Sequence, residues 1–216
     1  MQIWLILCVL WLGLSLEQEE TKKDITSGKI VGIDFGLKTF LTLSDNTKIE
    51  SPRYYLKHLK ELKRLQKRLS KKQKDSNNYK LAKRRLAKLH IKVANTRRDY
   101  FHKLSNKIAN NVDFVAIENL NIKAMQQLWG RKINDYAFSE FVNILEYKTD
   151  LIKIDRFYPS SKTCFQCGYV LDELDLKTRI WQCPECKTKH LRDLNAAMNI
   201  CRVGASTLGI ETVRPA

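Results

Sequence analysis

Glycine and proline are scarce, eight and four in 216 residues. That excludes a collagenous or low-complexity chain, and 44% hydrophobic with 9% aromatic residues excludes global disorder. No apolar run reaches the about 20 residues that a membrane-crossing helix needs. Ile3–Leu12, inside the charge-free stretch Met1–Leu16, falls short of it. That stretch has the length of a signal-peptide apolar core but no Lys or Arg before it. A leader, a structural strand and an altered start of the chain are its alternative readings. Acidic residues are the other shortage. Twenty-three Asp and Glu face 39 Lys and Arg, a net charge of +16 on a chain long enough for one domain with an insertion or two. Such an excess makes a polyanion the default partner.

The excess sits in one place. Arg53 to Lys107 holds 20 Lys and Arg against Glu61, Asp75 and Asp99, a net of +17, while the remainder holds 19 basic and 20 acidic residues. Within that segment Leu59, Leu62, Leu65 and Leu69 recur at helical spacing. After the breaker Asp75-Ser76-Asn77-Asn78, a second stripe follows through Leu86, Leu89, Val93, Tyr100, Leu104 and Ile108. The pattern predicts a helical hairpin with an apolar seam and a basic face. Lys63, Arg64, Lys67 and Arg68 on the first arm are candidate phosphate contacts, as are Lys83, Arg84, Arg85, Lys88, Arg97 and Arg98 on the second. A solvated coiled coil is the plainer alternative. Helices of that kind usually mix signs for i,i+4 support, whereas this face repels itself unless phosphates neutralise it.

Two C-x-x-C knuckles, Cys164/Cys167 and Cys183/Cys186, are separated by 15 residues. The spacing suits a four-thiolate Zn²⁺ site, each turn aiming two sulfurs at one ion about 2.3 Å away. Tyr169–Leu171 and Arg179–Trp181 are expected to pair as the hairpin between them. Disulfides or redox turns are the alternative, but neither requires this pairing of knuckles. Cys8 and Cys201 read as ordinary buried thiols. A zinc thiolate site favours a reducing, cytoplasmic setting.

Three acids stand on structured segments. Lys29–Gly36 is an apolar strand carrying Asp34, and Thr39–Leu43 is expected to fold back on it, with Asp45-Asn46 opening the next turn. Asp113–Glu118 is a second buried strand ending in an acid. Asp193–Ile200 reads as a helix with Leu194, Ala197, Met198 and Cys201 on its apolar side and Asp193 in its first turn. Separately, these acids are a turn former, a strand-end charge and an N-cap. Together they are oxygen ligands suited to Mg²⁺ and metal-dependent phosphodiester hydrolysis.

The order of these pieces resembles the C-terminal half of TnpB-type (OrfB) proteins of bacterial insertion sequences, which are RNA-guided DNA endonucleases related to type V CRISPR effectors. The resemblance rests on Gly32-Ile-Asp34-Phe-Gly36, Ile117-Glu118-Asn-Leu, Tyr158-Pro-Ser-Ser-Lys-Thr-Cys164-Phe-Gln-Cys167-Gly, Cys183-Pro-Glu-Cys186 and Arg192-Asp193-Leu-Asn-Ala-Ala-Met-Asn, with Gly204-Ala-Ser-Thr and Val213-Arg-Pro in the tail. It runs from about Gly28 to the last residue. It implies an α/β RNase H-like (RuvC) core with an inserted basic helical hairpin and a zinc ribbon. It also implies Mg²⁺ on Asp34, Glu118 and Asp193, Zn²⁺ on the four cysteines, and DNA and guide RNA as partners.

Mapped on the chain, the resemblance gives nuclease segments at 28–50, 109–158 and 190–216, the hairpin at 51–108 and the ribbon at 159–189. Residues 1–27 are then expected to be the remnant of a truncated N-terminal domain. Two further departures stand out. Leu191-Arg192-Asp193 lacks the family's additional acid. The helix expected over Ile133–Lys148 also meets the strand Leu151–Ile154 with only Thr149-Asp150 between. The competing reading is a non-catalytic zinc-ribbon fragment that binds DNA or RNA; a decayed open reading frame is the third.

The charge distribution generates a direct expectation. Binding to a nucleic acid weakens by at least about tenfold between roughly 50 and 200 mM salt, as two or more phosphates are neutralised, and weakens again when hairpin Lys and Arg are replaced. Salt-independent binding would remove the polyanion reading.

Overall fold

The computed structural model describes residues 28–36, 39–121, 127, 130 and 136–210. The expected N-terminal remnant with its apolar stretch and Cys8, the first three residues of the helix expected over 133–148, and Val213-Arg-Pro lie outside them. Five strands form one mixed sheet: β1 (Ile30–Phe35), β2 (Leu41–Leu43), β3 (Lys48–Ile49), β4 (Phe114–Glu118) and β5 (Asp150–Ile154). Their order is β3-β2-β1-β4-β5. β1 pairs antiparallel with β2, and β2 with β3, while β1, β4 and β5 run parallel. Among the described residues four helices accompany the sheet: α1 (Tyr54–Ser70), α2 (Asn77–Ala109), α3 (Phe138–Glu146) and α4 (Arg192–Thr207). A small second sheet pairs β6 (Ile180–Gln182) with β7 (Lys189–Leu191).

Strand periodicity explains the layering. Successive side chains alternate between faces, so Val31, Ile33, Val115 and Ile117 enter one face, where they pack with Phe101, Leu104 and Ile108 of α2 and Phe138, Phe141 and Leu145 of α3. Aromatic rings fill this layer: Phe40 stacks on Phe101 and on Phe138, with centroids 5.7 and 5.4 Å apart. Ile30, Ala116, Ile152 and Ile154 turn to the other face, against Ile200 and Val203 of α4. Gly32 shares that face, paired in register with Ala116. By the same alternation Asp34 and Glu118, two residues further along each strand, fall on the α4 side.

The expected helical hairpin forms. Ser76 ends the connection as the N-cap of α2, its hydroxyl accepting from Tyr79 N at 3.1 Å. Leu62, Leu69 and Leu86 make the seam, with Tyr55, Leu65, Tyr79, Ala82 and Leu89 partly buried beside them. The second stripe is not all hairpin seam, however. α2 faces α1 as far as Tyr100, whose ring meets that of Tyr54 with centroids 6.1 Å apart, whereas Phe101, Leu104 and Ile108 belong to the sheet's core. With 33 residues, α2 is long enough, about 50 Å, to do both.

α4 also differs from expectation. Its buried residues include Asn195, Ala196, Ala197, Asn199, Ile200, Gly204 and Ala205, while Leu194 and Met198 are half-buried. The reason is distance. α4 lies so near the sheet that a methyl on Gly32 would collide with the Ala197 carbonyl oxygen and come within 2.5 Å of Cys201 N. One on Gly204 would come within 2.5 Å of Ala116 Cβ. Large side chains do not fit this contact, so the helix turns small residues inward. Among the described residues, no helix is long and apolar enough to cross a membrane.

Gly32→Ala therefore has to push α4 off β1. We expect a loss of about 2 kcal/mol in urea unfolding, an overpacking effect. A variant as stable as the parent would mean that the helix relaxes away from the sheet without cost.

Candidate metal and nucleic-acid sites

The three acids predicted from sequence come from separate elements to one end of the sheet. Asp34 lies near the end of β1 and Glu118 ends β4; the strands are parallel and in register up to Ile33 and Ile117. Asp193 sits in the first turn of α4. It is not an N-cap, since Leu191 holds that position without a capping side chain. All three keep partial access to solvent. Around Asp34 protein atoms are nevertheless dense, and its carboxyl is pushed up to about 7, first by burial and then by the negative charges of Asp193 and Glu118. Arg192 and Arg179 oppose that shift. Burial alone raises Glu118.

A carboxyl held up by burial and by two other carboxylates is a site that gains from a cation, and carboxylate oxygens suit Mg²⁺ or another hard ion. The carboxylates do not yet form a single tight cage. Among the described residues, only the four cysteines bring three or more potential ligand atoms within 4.8 Å of one another. Asp193 Oδ1 is meanwhile 3.4 Å from Arg179 Nη1. Arg179 is not legible as a site residue in the sequence, because it reaches the acids from the knuckle-bearing segment.

The cysteine site is built from two copies of one turn. Cys164 N donates to Tyr169 O and Gly168 N to Cys164 O, at 2.7 and 2.9 Å. Cys183 N donates to Thr188 O and Lys187 N to Cys183 O, at 2.9 and 3.0 Å. Gly168 and Lys187 occupy equivalent positions with φ of 81° and 60°. Glycine marks this left-handed position in the first knuckle, whereas lysine hides it in the second. Across the knuckles, Cys164 Sγ lies 3.6 Å from Cys186 Sγ, and Cys167 Sγ 3.6 Å from Cys183 Sγ. A zinc tetrahedron with about 2.3 Å bonds has sulfur–sulfur edges of about 3.8 Å, so the donor set fits Zn²⁺.

The strand pairing here corrects the sequence expectation. Ile180–Gln182 pairs with Lys189–Leu191, and Val170 makes only an isolated bridge to Thr163. Each knuckle turns the chain back on itself, so each closes its own ladder instead of sharing one. His190, between Trp181 and Cys164, has no sequence signal that marks it. Its Nε2 is 3.0 Å from Cys164 Sγ and its ring centroid 4.7 Å from that of Trp181.

Two buried amides join this unit to α4. Asn195 and Asn199 each donate from Nδ2 to Thr163 O at 2.7 Å, and Asn195 Oδ1 accepts from Phe165 N at 3.1 Å. Nothing but their helical i,i+4 spacing could have marked them. Of the candidate phosphate contacts, Lys63, Arg64, Lys67, Arg68, Lys83, Arg84, Arg85 and Lys88 are exposed along the hairpin. Arg97 is instead bound to Glu140 of α3, Nη2 to Oε2 at 2.8 Å, and Arg98 approaches the same carboxylate at 3.4 Å.

The environment of Asp34 sets a pH dependence. Its folded-state value, about 7, lies above the unfolded 3.8. Between these the unfolded chain has released a proton that the folded chain keeps, so this group lowers stability as pH rises through that window. In zinc-loaded, Mg²⁺-free protein, Asp34→Asn should therefore gain stability over the parent by urea unfolding, more at pH 8 than at pH 5. An equal difference at both values would contradict the assigned crowding.

Comparison with known proteins follows the same lines. The OrfB_IS605 family model, described as "Probable transposase", matches residues 14–128, so the family match begins before Gly28. The Cas12f1-like TNB domain model matches residues 138–200. A Streptomyces pristinaespiralis protein named "Putative RNA-guided DNA endonuclease" is 38% identical over 194 residues, 86% of this chain and 48% of that protein. The similarly named InsQ of Escherichia coli K12 is 31% identical, over 96% of this chain and 58% of that protein. The chain thus spans about half the length of the curated relatives it matches. In fold it is similar to the chain in the cryo-EM structure of the Cas12f1–sgRNA–target DNA complex, with TM-score 0.57 and 22% identity over 82% of this chain and 50% of that one. The chain belongs to the OrfB transposase family, as a TnpB-type protein.

Proposed function

We propose that the chain is the nuclease part of an RNA-guided DNA endonuclease, an RNase H-like (RuvC) core with a zinc ribbon and a basic hairpin. The observation that carries this reading is the convergence of Asp34, Glu118 and Asp193, in which burial first and then the charges of Asp193 and Glu118 raise the Asp34 carboxyl. Structural folding alone gives no reason to bring three like charges together. Bound Mg²⁺ would supply Lewis acidity and a water of lowered pKa for phosphodiester hydrolysis. Asp34 and Glu118 would hold it from the sheet and Asp193 from the helix, with no covalent enzyme intermediate. Arg179, whose Nη1 lies 3.4 Å from Asp193 Oδ1, would supply a positive charge beside the site for the substrate phosphate.

Supporting pieces surround this centre. The strand order β3-β2-β1-β4-β5 with a helix across it suits the RNase H-like assignment. Cys164, Cys167, Cys183 and Cys186 would carry structural Zn²⁺, which suits a reducing, cytoplasmic setting. The exposed cations of α1 and α2 would track a nucleic-acid backbone. Guide RNA and DNA enter as partners from the names of the relatives.

Cleavage of single-stranded DNA by the purified chain with Mg²⁺ is the test. Asp34→Ala should reduce cutting by at least about a hundredfold, the scale of a lost metal ligand. A parent that retains zinc and binds nucleic acid without cutting would instead be a non-catalytic binding fragment.

A further inference from the structure

β5 ends at Ile154, whose register partner is Glu118, and Asn119 N donates to Ile154 O at 3.1 Å. The turn that follows is tightly held. Asp155 Oδ1 accepts from Phe157 N at 2.7 Å, Asp155 O accepts from Tyr158 N at 3.2 Å, and Tyr158 O accepts from Ser160 N at 2.8 Å. Tyr158 packs inward beside Ala116, Ile154 and Ile200. Phe157 does the opposite and is 86% exposed. Beside it Arg156 is exposed and makes no ion pair among the described residues.

A single apolar side chain on a surface needs no explanation by itself. This one is distinguished by its setting. The fixed turn holds its backbone, an exposed guanidinium adjoins it, and the strand that presents it ends in register with one of the three acids. Exposed aromatic rings beside cations bind single strands by stacking on bases, which is sequence-tolerant because every base has a π-face.

We propose that Phe157 is a stacking platform for an unpaired base of a single DNA strand, and that Arg156 meets the adjoining phosphate, seating the strand beside the acids. This deepens the nuclease reading, and the two can fail separately. Binding of the full 216-residue, zinc-loaded chain is measured without Mg²⁺ on a fluorescent single-stranded DNA, on the same strand carrying abasic sites, and on RNA of the same sequence. Phe157→Ala should weaken DNA binding about tenfold while Phe157→Trp retains it, and the difference should vanish on the abasic strand.

Parent and Phe157→Ala binding DNA alike, an equal loss on the abasic strand, or an effect confined to RNA would overturn the assignment. Failure of the parent to bind DNA would overturn it as well. Circular dichroism and zinc content, unchanged in Phe157→Ala, exclude misfolding as the source of a loss. Phe157-dependent binding in a chain that never cuts would leave the stacking platform standing and the nuclease reading lost.

Discussion

The molecule depends on how close α4 comes to the sheet. Hydrophobic burial can hold a helix on a sheet at many distances, and side-chain size decides which. Here Gly32, Ala116, Ala197 and Gly204 remove the usual spacers, leaving backbone almost against backbone. Such a contact forgives little sliding, since neighbouring positions carry larger groups such as Ile30 and Ile200. The helix is thereby fixed in register as well as in distance. Asp193, at its start, is set against the ends of β1 and β4 by the same contact that packs the core.

The cysteine-bearing unit acts on that arrangement from the other side. Leu191 ends β7 and Arg192 begins α4, so no linker separates the small sheet from the helix. Asn195 and Asn199 bind the loop ahead of the first knuckle from within the helix, and both are almost wholly buried. Arg179 reaches Asp193 from the start of β6. Order in the knuckles is therefore order at the first turn of α4. A metal at the cysteines would influence the acids through hydrogen bonds and chain continuity, without contact between the two sites.

Much of this is legible in the amino-acid sequence, and the limits have physical causes. Alternation along Gly32-Ile-Asp34 and Ala116-Ile-Glu118 already puts a small residue and an acid on one face of each strand, because strand period is fixed at two. The C-x-x-C pairs declare themselves because metal geometry constrains spacing. Helix α4 is harder. Large apolar residues suggest one inward face, whereas close packing favours alanine and glycine, and its buried amides bond a loop far away in sequence. The pairing of β6 with β7 escapes the pattern because Lys187 takes a backbone conformation that usually advertises itself as glycine. Arg179 and His190 matter through tertiary approach, which a linear pattern does not carry.

The charge segregation gains meaning from helix continuity. Were the basic hairpin attached by a flexible loop, its cations would attract a polyanion without orienting it. α2 instead runs unbroken from the exposed lysines and arginines into the layer beneath the sheet, where Phe101, Leu104 and Ile108 anchor it. Arg97 and Glu140 mark the transition, tying α2 to α3 by an ion pair that is largely shielded on both sides. Bending such a helix would break backbone hydrogen bonds or this shielded contact. A nucleic-acid strand bound on the hairpin would consequently be held at a set position relative to Asp34, Glu118 and Asp193, so affinity gained on one element would become orientation at the other.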